Sequence, residues 1–438
     1  MTLYLIVFTA SVCIMLCLMF RNATSFNMVG RQRIYLSVYT CAYFADWLKG
    51  PYLYKLYESY GMTENEMGML FCVGFISSAI VGPFVGVVAD NFGRKKMCLA
   101  YFLIYAVAAC MCQSQSFSVL LLGRILSGIG TSLLCTIFES WMVFNFKLHN
   151  ISREILEDTL SKSTVCNSVS AIVAGIVAQI SVKYMGYSGP YKIILIPLVC
   201  GSLLCFWGFE ADSLELHHAP DTLGLQASLK SMDKNVWILC ITQSIFLSTM
   251  YTFVFLWTPA FETQDLPYGL IFSTFMVMIS IGAQLYATIS DKLIYLPYGI
   301  LFLAGGVFLA AALAKNTKIL YMSFCGFELI CGVMFPSYGA LRSIYIDEKY
   351  RTTVMNICRI PLNVFVIIML LNKQYMTIQQ TFVVCGMGNI VGGFIYCKFV
   401  SNKTMQDSKL YRRPDNEEDF GSLDDSMDEY ELESDPEL

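Results

Sequence analysis

Apolar residues run through this chain in blocks of about twenty, separated by short polar segments, from one end to the other. Wound as helices, blocks of that length match the ~30 Å hydrocarbon core of a bilayer. The pattern predicts thirteen membrane-spanning helices, near 2–20, 34–57, 66–89, 97–115, 117–145, 164–185, 190–209, 236–260, 268–289, 296–314, 319–341, 352–371 and 378–399. One run recurs. The 23 residues from Gly68 to Asp90 align without gaps on those from Gly269 to Asp291, with Phe71 on Phe272 and Ile80 on Ile281. A membrane chain made of two similar halves has the organisation of a secondary transporter.

The segment 2–20 precedes the repeat, and the other twelve spans divide six and six around a polar stretch. The expected organisation is therefore all-helical: an N-terminal anchor span and cytosolic connector over 1–33, a six-helix bundle over 34–209, a cytosolic linker over 210–235, a second six-helix bundle over 236–400, and an acidic, disordered cytosolic tail over 401–438. Orientation follows from the loops. One alternating set carries Arg94-Lys95-Lys96, Lys147, Arg153, Lys162, Lys230, Lys234, Lys292, Arg342, Lys349 and Arg351. The opposite set is sparser, and the positive-inside rule puts the basic set in the cytosol. Arg21, Arg31 and Arg33 follow the segment 2–20 rather than lead it, so that segment reads as a retained anchor with its start outside.

Composition narrows the function classes. The chain is 56% hydrophobic and 14% charged, with mean hydropathy +0.57. Its 17 cysteines form no CxxC pair and read as small buried hydrophobes. There is no Walker loop, nucleophile elbow or zinc pattern, so neither catalysis, nor a cofactor or metal, nor ATP-driven pumping is expected. The partners expected are the lipid bilayer and a small solute, with no nucleic acid. The stretch 411–438 holds twelve acids against Arg412 and Arg413, so it carries −10 and leaves +6 for the rest of a chain whose total is −4. Ser422, Ser426 and Ser434 each have an acid three positions on, which suits a kinase or a trafficking partner; a purely solvating tail is the alternative.

Ionisable groups inside spans are costly, about 2.5–3.5 kcal/mol each at mid-helix, and face a cavity or a partner. Asp46 shares a face with Tyr39, Tyr43 and Gly50, and Lys49 lies three residues on, close enough to pair with it. This is either a cavity wall with an ion or proton site or a self-compensated structural pair, and Gly50-Pro51 predicts a kink beside it. Arg124 shares a face with Gly128, Thr131, Cys135 and Glu139, with Glu139 nearer the cytosol. Glu328-x-x-x-Gly332 answers Arg124-x-x-x-Gly128 in the second half, where the opposite charges have the chance to pair across a central cavity. In the span 352–371, Arg359 stands between Asn356 and Asn363, a cation flanked by amide donors that suits an oxyanion, or else a buried ion pair. Trp257-Thr258-Pro259 reads as an interfacial anchor or a binding element. Gly86-x-x-x-Asp90-x-x-Gly93-Arg94-Lys95 reads as a charged hinge at which Asp90 either caps the span 352–371 as part of a gate or simply ends a helix.

The hinge motif resembles the loop signature between helices 2 and 3 of the major facilitator superfamily, counting 34–57 as helix 1, and Arg124-x-x-x-Gly128-x-Gly130 resembles its helix 4 signature. Asp46-Trp47-Leu48-Lys49-Gly50-Pro51-Tyr52, Phe138-Glu139-Ser140-Trp141, Phe255-Leu256-Trp257-Thr258-Pro259 and Arg359-Ile360-Pro361-Leu362-Asn363 resemble the molybdate-anion transporter family within it. The resemblance covers roughly 34–400. It implies the major facilitator fold, alternating access, and cellular uptake of molybdate, a tetrahedral dianion, at the cell membrane or an endomembrane. Arg124, Arg359 and Lys49 would hold the anion; Asp46, Glu139 or Glu328 would carry a coupling proton or balance charge; Gly86, Asp90, Gly93 and Arg94 would form the gate. The rival readings are a proton-coupled carrier of another small solute and a non-transporting membrane sensor or scaffold.

Overall fold

Backbone N–H and C=O groups have no water to bond in hydrocarbon, so each apolar run satisfies them internally as a helix. The computed structural model describes residues 2–21, 30–210, 232, 234–261, 266–289, 295–346, 365, 368 and 375–402. Fourteen helices are present among them. They are α1 (Thr2–Arg21), α2 (Gly30–Leu48), α3 (Leu53–Ser59), α4 (Glu64–Phe92), α5 (Arg94–Met111), α6 (Phe117–Leu148), α7 (Arg153–Met185), α8 (Gly189–Ile193), α9 (Leu195–Gly208), α10 (Lys234–Ala260), α11 (Tyr268–Ile289), α12 (Leu296–Leu313), α13 (Thr317–Tyr345) and α14 (Ile378–Asn402). The expected span 352–371, with Arg359, lies outside the described residues except for 365 and 368, the expected tail does so beyond Asn402, where α14 ends, and the side chain of Asp90 is not described.

Nine spans are long and apolar enough to cross a membrane among the described residues. The helices α2 and α5 are not among them, because they carry Arg31, Arg33 and Asp46, and Arg94, Lys95 and Lys96. Several helices outrun their apolar stretch. α7 begins at Arg153 rather than near 164, since a polar helical turn that leaves the bilayer remains hydrogen-bonded and meets water. The expected span 34–57 is two pieces, α2 and α3, broken at residues 49–52, where Pro51 has no N–H to continue the ladder.

The packing repeats. In the first half α4 crosses α6, α5 packs on α6 and α9, and α2 on α9; in the second half α11 crosses α13, α12 packs on α13 and α14, and α10 on α14. Both central crossings are backbone to backbone at a glycine. A Cβ on Gly128 would sit 2.4 Å from the Gly74 carbonyl oxygen and 3.0 Å from Ser78 N; one on Gly332 would sit 2.1 Å from the Ile279 carbonyl oxygen. Ser78 and Ile279 are equivalent positions of the sequence repeat, so the two halves cross their helices at the same place. Small residues permit this approach, and dispersion and close packing hold helices together where lipid tails remove the hydrophobic drive.

α1 packs along α11, with the Tyr4 ring 4.9 Å from the Tyr321 ring at the start of α13. The bundle has a basic end, at Arg94, Lys147 and Glu210, and an opposite end, at Tyr52, Met185 and Tyr268. The contacts between the halves among the described residues cluster toward the opposite end. The Tyr52 hydroxyl donates to Gln179 Oε1 at 2.7 Å, and Gly269 N donates to the same oxygen at 3.0 Å. Ser273 Oγ donates to the Ile172 carbonyl at 2.8 Å. A Cβ on Gly175 would lie 2.7 Å from the Gly269 carbonyl oxygen. Aromatic edges complete this seal, Phe71 on Phe255 at 5.0 Å and Phe75 on Tyr251 at 5.0 Å.

Candidate substrate site

The break after α2 frees the carbonyl of Lys49, and the Tyr191 hydroxyl donates to it at 2.9 Å. Tyr101 does the same for the Ala42 carbonyl at 2.9 Å. These bonds fix the end of α2, and with it Asp46 and Lys49. The two side chains form an ion pair at 2.9 Å. Tyr105 of α5 joins them: its hydroxyl donates to Asp46 Oδ1 and accepts from Lys49 Nζ, and its ring lies 4.2 Å from that nitrogen. Lys49 Nζ also donates to Ser127 Oγ of α6 at 3.1 Å.

Arg124 stands one turn before Ser127. It is 8% exposed. Its Nε donates to the Leu70 carbonyl at 3.0 Å, and its guanidinium lies 5.2 Å from the centre of the Phe71 ring. Its terminal nitrogens have no hydrogen-bond acceptor among the described residues. Gly74 makes this position possible, since a Cβ there would fall 2.5 Å from Arg124 Nη2. Lys49 and Arg124 line one small cavity together with Tyr105, Cys112, Ser127 and Tyr191. Its volume is about 10 Å³, room for about one water.

Arg124 therefore turns into its own half. The expected opposite-charge pairing of Arg124 with Glu328 does not occur: Arg124 is committed to Leu70 and Phe71, and Glu328 has no ion pair among the described residues. Glu139 is elsewhere again, on the exposed face of α6 toward the basic end. It lines a wider, open cavity of about 450 Å³ with Arg94, Thr136, Ser140 and Lys147. Arg94 is held there, its Nε donating to Ser140 Oγ at 3.0 Å and its guanidinium 4.4 Å from the Phe144 ring. Gly93 makes the turn between α4 and α5. It closes α4 by donating to the Ala89 carbonyl at 2.9 Å and starts α5 at φ +94°, a conformation other residues adopt only with strain. Gly86 has open space around its Cα.

Trp257 is no interfacial anchor. It is 5% exposed and packs edge-on against Tyr268 and Phe275, because the aromatic seal between the halves occupies that depth. Fourteen described cysteines are free thiols, while Cys240 is disulfide-bonded, contrary to its reading as a simple apolar filler. Sequence reasoning missed Tyr105, Ser127 and Tyr191. The only hint was Tyr101 and Tyr105 one turn apart in an otherwise apolar span.

A second missed cluster lies at the basic end. Glu210 accepts from Arg31 Nη1 at 2.8 Å, pairs with His149 Nε2 at 2.6 Å and accepts from Asn145 Nδ2 at 3.3 Å. The Arg31 and His149 hydrogen bonds hold its carboxyl well below the ordinary range, at about 2. Beside it the Trp141 and Phe209 rings stack at 3.5 Å. The start of the linker between halves is thereby fastened to α2 and α6.

A sequence profile for a family described as sugar transporters with 12 TM matches residues 3–316. The molybdate-anion transporter of Takifugu rubripes is 30% identical over 371 residues, covering 76% of this chain and 77% of that protein. The one of Xenopus laevis is 32% identical over 349 residues, covering 76% of each. The chain belongs to the molybdate-anion transporter family of the major facilitator superfamily. Solved structures agree on the fold. An auto-inhibited peptide transporter of the POT family superposes with TM-score 0.70 at 12% identity, over 88% of this chain and 99% of that one. The human organic anion transporter MFSD10 superposes with TM-score 0.60 at 14% identity, over 84% of this chain and all of that one. This member of the family is a multi-pass membrane protein with the major facilitator fold.

Proposed function

We propose that this family member is a secondary transporter that takes up molybdate across the cell membrane by alternating access. The observation that carries the substrate class is the buried guanidinium of Arg124. A buried guanidinium whose terminal nitrogens have no acceptor among the described residues is under-solvated, and a ligand that supplies acceptors gains about 1–3 kcal/mol or more. An oxyanion supplies charge-assisted acceptors to Arg124 and to Lys49 in the same cavity. With Asp46 ionised, Lys49 and Arg124 leave the site at +1, which attracts an anion; a neutral sugar, the substrate class in the description of the matching profile, makes no use of that charge. Ser127 adds a hydroxyl donor at the rim. Arg359, between Asn356 and Asn363, is proposed to complete the site from the second half.

At about 10 Å³ the cavity is too small for the anion, which enters only when Lys49 and the helix break beside it move. The contacts between halves toward the end opposite the basic loops support an outer seal in this conformation, with the basic end as the cytosolic one. The open cavity of Arg94, Lys147 and Glu139 is then a vestibule on the cytosolic side, and the hinge at Gly86, Asp90, Gly93 and Arg94 is the moving part. Moving a dianion inward against an inside-negative potential costs about 4.6 kcal/mol per 100 mV, so accumulation requires a co-transported cation. The test is uptake of labelled molybdate into proteoliposomes of the purified full chain. Saturable uptake displaced by unlabelled molybdate and unaffected by sugars supports the reading; vesicles that take up sugar but not molybdate overturn it.

A further inference from the structure

Among the described residues of the second half, one buried charged side chain is not used by the anion site. Glu328 lies near the middle of α13, is 6% exposed, and makes no hydrogen bond or ion pair among the described residues. The helices packed against α13 are α11, α12 and α10. α11 and α12 contain no Lys, Arg, Asp or Glu, and α10 contains only Lys234, its first residue at the basic end. Their titratable groups are the phenols of Tyr251, Tyr268, Tyr286 and Tyr298, and Cys240 is disulfide-bonded and does not titrate. On α13 itself the thiols of Cys325 and Cys331 lie within electrostatic reach, while Lys318 and Arg342 stand near its two ends. Glu328 is therefore buried, and the described helices packed against it carry no cation except Lys234 at the basic end.

An ionised carboxylate in such a place is largely desolvated and has no counter-ion among the described residues, whereas the neutral acid fits. A buried ionisable group in a membrane span that serves no structural pair marks an ion pathway. We propose that Glu328 is the proton-binding site that couples transport. When the halves open outward, its carboxylate takes one proton from outside water, forming a single O–H bond. The neutral acid crosses with the halves. The proton leaves to water on the cytosolic side, and the carboxylate is restored. One proton moves with each dianion, and no other bond changes. This rests on the transporter reading above, and the test separates the two.

The first arm needs no substrate. Infrared spectra of the purified full chain in nanodiscs at neutral pH are expected to show the C=O band of a protonated carboxylic acid, lost in Glu328→Gln. An identical spectrum in Glu328→Gln overturns the proposal, as does ionisation of Glu328 through a pair with Arg359, which removes the band from the parent chain. Should Glu328→Gln not fold, Glu328→Asp serves: a displaced band supports the site and an unmoved one overturns it. The second arm uses proteoliposomes with labelled molybdate. Glu328→Gln is expected to keep molybdate exchange across the vesicle and to lose accumulation driven by an inward proton gradient. Gradient-driven accumulation that survives in Glu328→Gln overturns the coupling role. If the parent chain moves no molybdate, the substrate reading falls, and the infrared arm still decides on Glu328.

Discussion

Gly175→Ala isolates the seal between the halves. The added methyl would sit 2.7 Å from the Gly269 carbonyl oxygen and 2.3 Å from Ser273 Oγ. Ser273 cannot simply rotate away, because it already donates to Ile172 and Gly269 at 2.8 and 3.0 Å. A backbone oxygen cannot yield at all without moving α11, so α7 and α11 must separate by a few tenths of an ångström or more. Overpacking of this kind costs about 1–3 kcal/mol. The contact exists only when the halves meet at this end, so the whole penalty falls on one conformation and shifts the equilibrium by roughly 5–150-fold toward the other. Distance measurements between probes at Tyr184 and Leu313, which are 77% and 80% exposed at the same end of opposite halves, read the shift directly. The population of long distances is expected to grow in Gly175→Ala. Gly128→Ala is the control, since its methyl would strike Gly74 within one half, lowering stability without changing the distances. Unchanged distances in Gly175→Ala, or an equal change in Gly128→Ala, would refute the seal.

Three further outcomes follow from particular contacts. Tyr105→Phe removes the hydroxyl shared by Asp46 and Lys49 and is expected to lower stability by about 1–3 kcal/mol, read as a lower Tm of the purified protein; an unchanged Tm contradicts the hydrogen-bonded triad. Gly93→Ala forces a Cβ into φ +94° and is expected to cost about 1–2 kcal/mol, slowing transport more than it weakens binding; equal loss of both denies the hinge. Glu210→Gln loosens the linker clamp. Because the Glu210 carboxyl is depressed to about 2, its contribution is complete above the ordinary carboxylate range and disappears as pH falls from about 4.5 toward 2. Glu210 is half exposed, so that contribution is screened to below ~1 kcal/mol. The Tm difference between parent and variant is expected at pH 7 and to shrink below pH 4.5, and a difference that grows on acidification contradicts the assignment.

The spans were legible because each carries its own hydrophobic block, and the repeat at Gly68 and Gly269 was legible because both copies make the same crossing at Gly128 and Gly332. The Asp46 and Lys49 pair could be read from a spacing of three on one helix. What could not be read was anything set by contact between distant helices. Tyr105 joins that pair from α5, and Trp257 leaves the lipid interface, because of neighbours that no local pattern specifies. Arg124 illustrates the same limit. Its place at a polar face suggested a partner across the cavity, but Gly74, fifty residues earlier in the chain, opens a niche that turns the guanidinium back into its own half. The Arg31, His149 and Glu210 cluster was invisible for the same reason, since its members come from three separate segments.

Molybdate binding to the purified protein, measured calorimetrically in the parent chain and in Arg124→Gln, tests the central claim most directly. The account predicts saturable binding in the parent chain and a loss of about 1.5–3 kcal/mol of binding free energy, roughly 10- to 150-fold in Kd, in Arg124→Gln, the range for a hydrogen bond to a charged group. No molybdate binding by the parent chain, or equal affinity in Arg124→Gln, would contradict it.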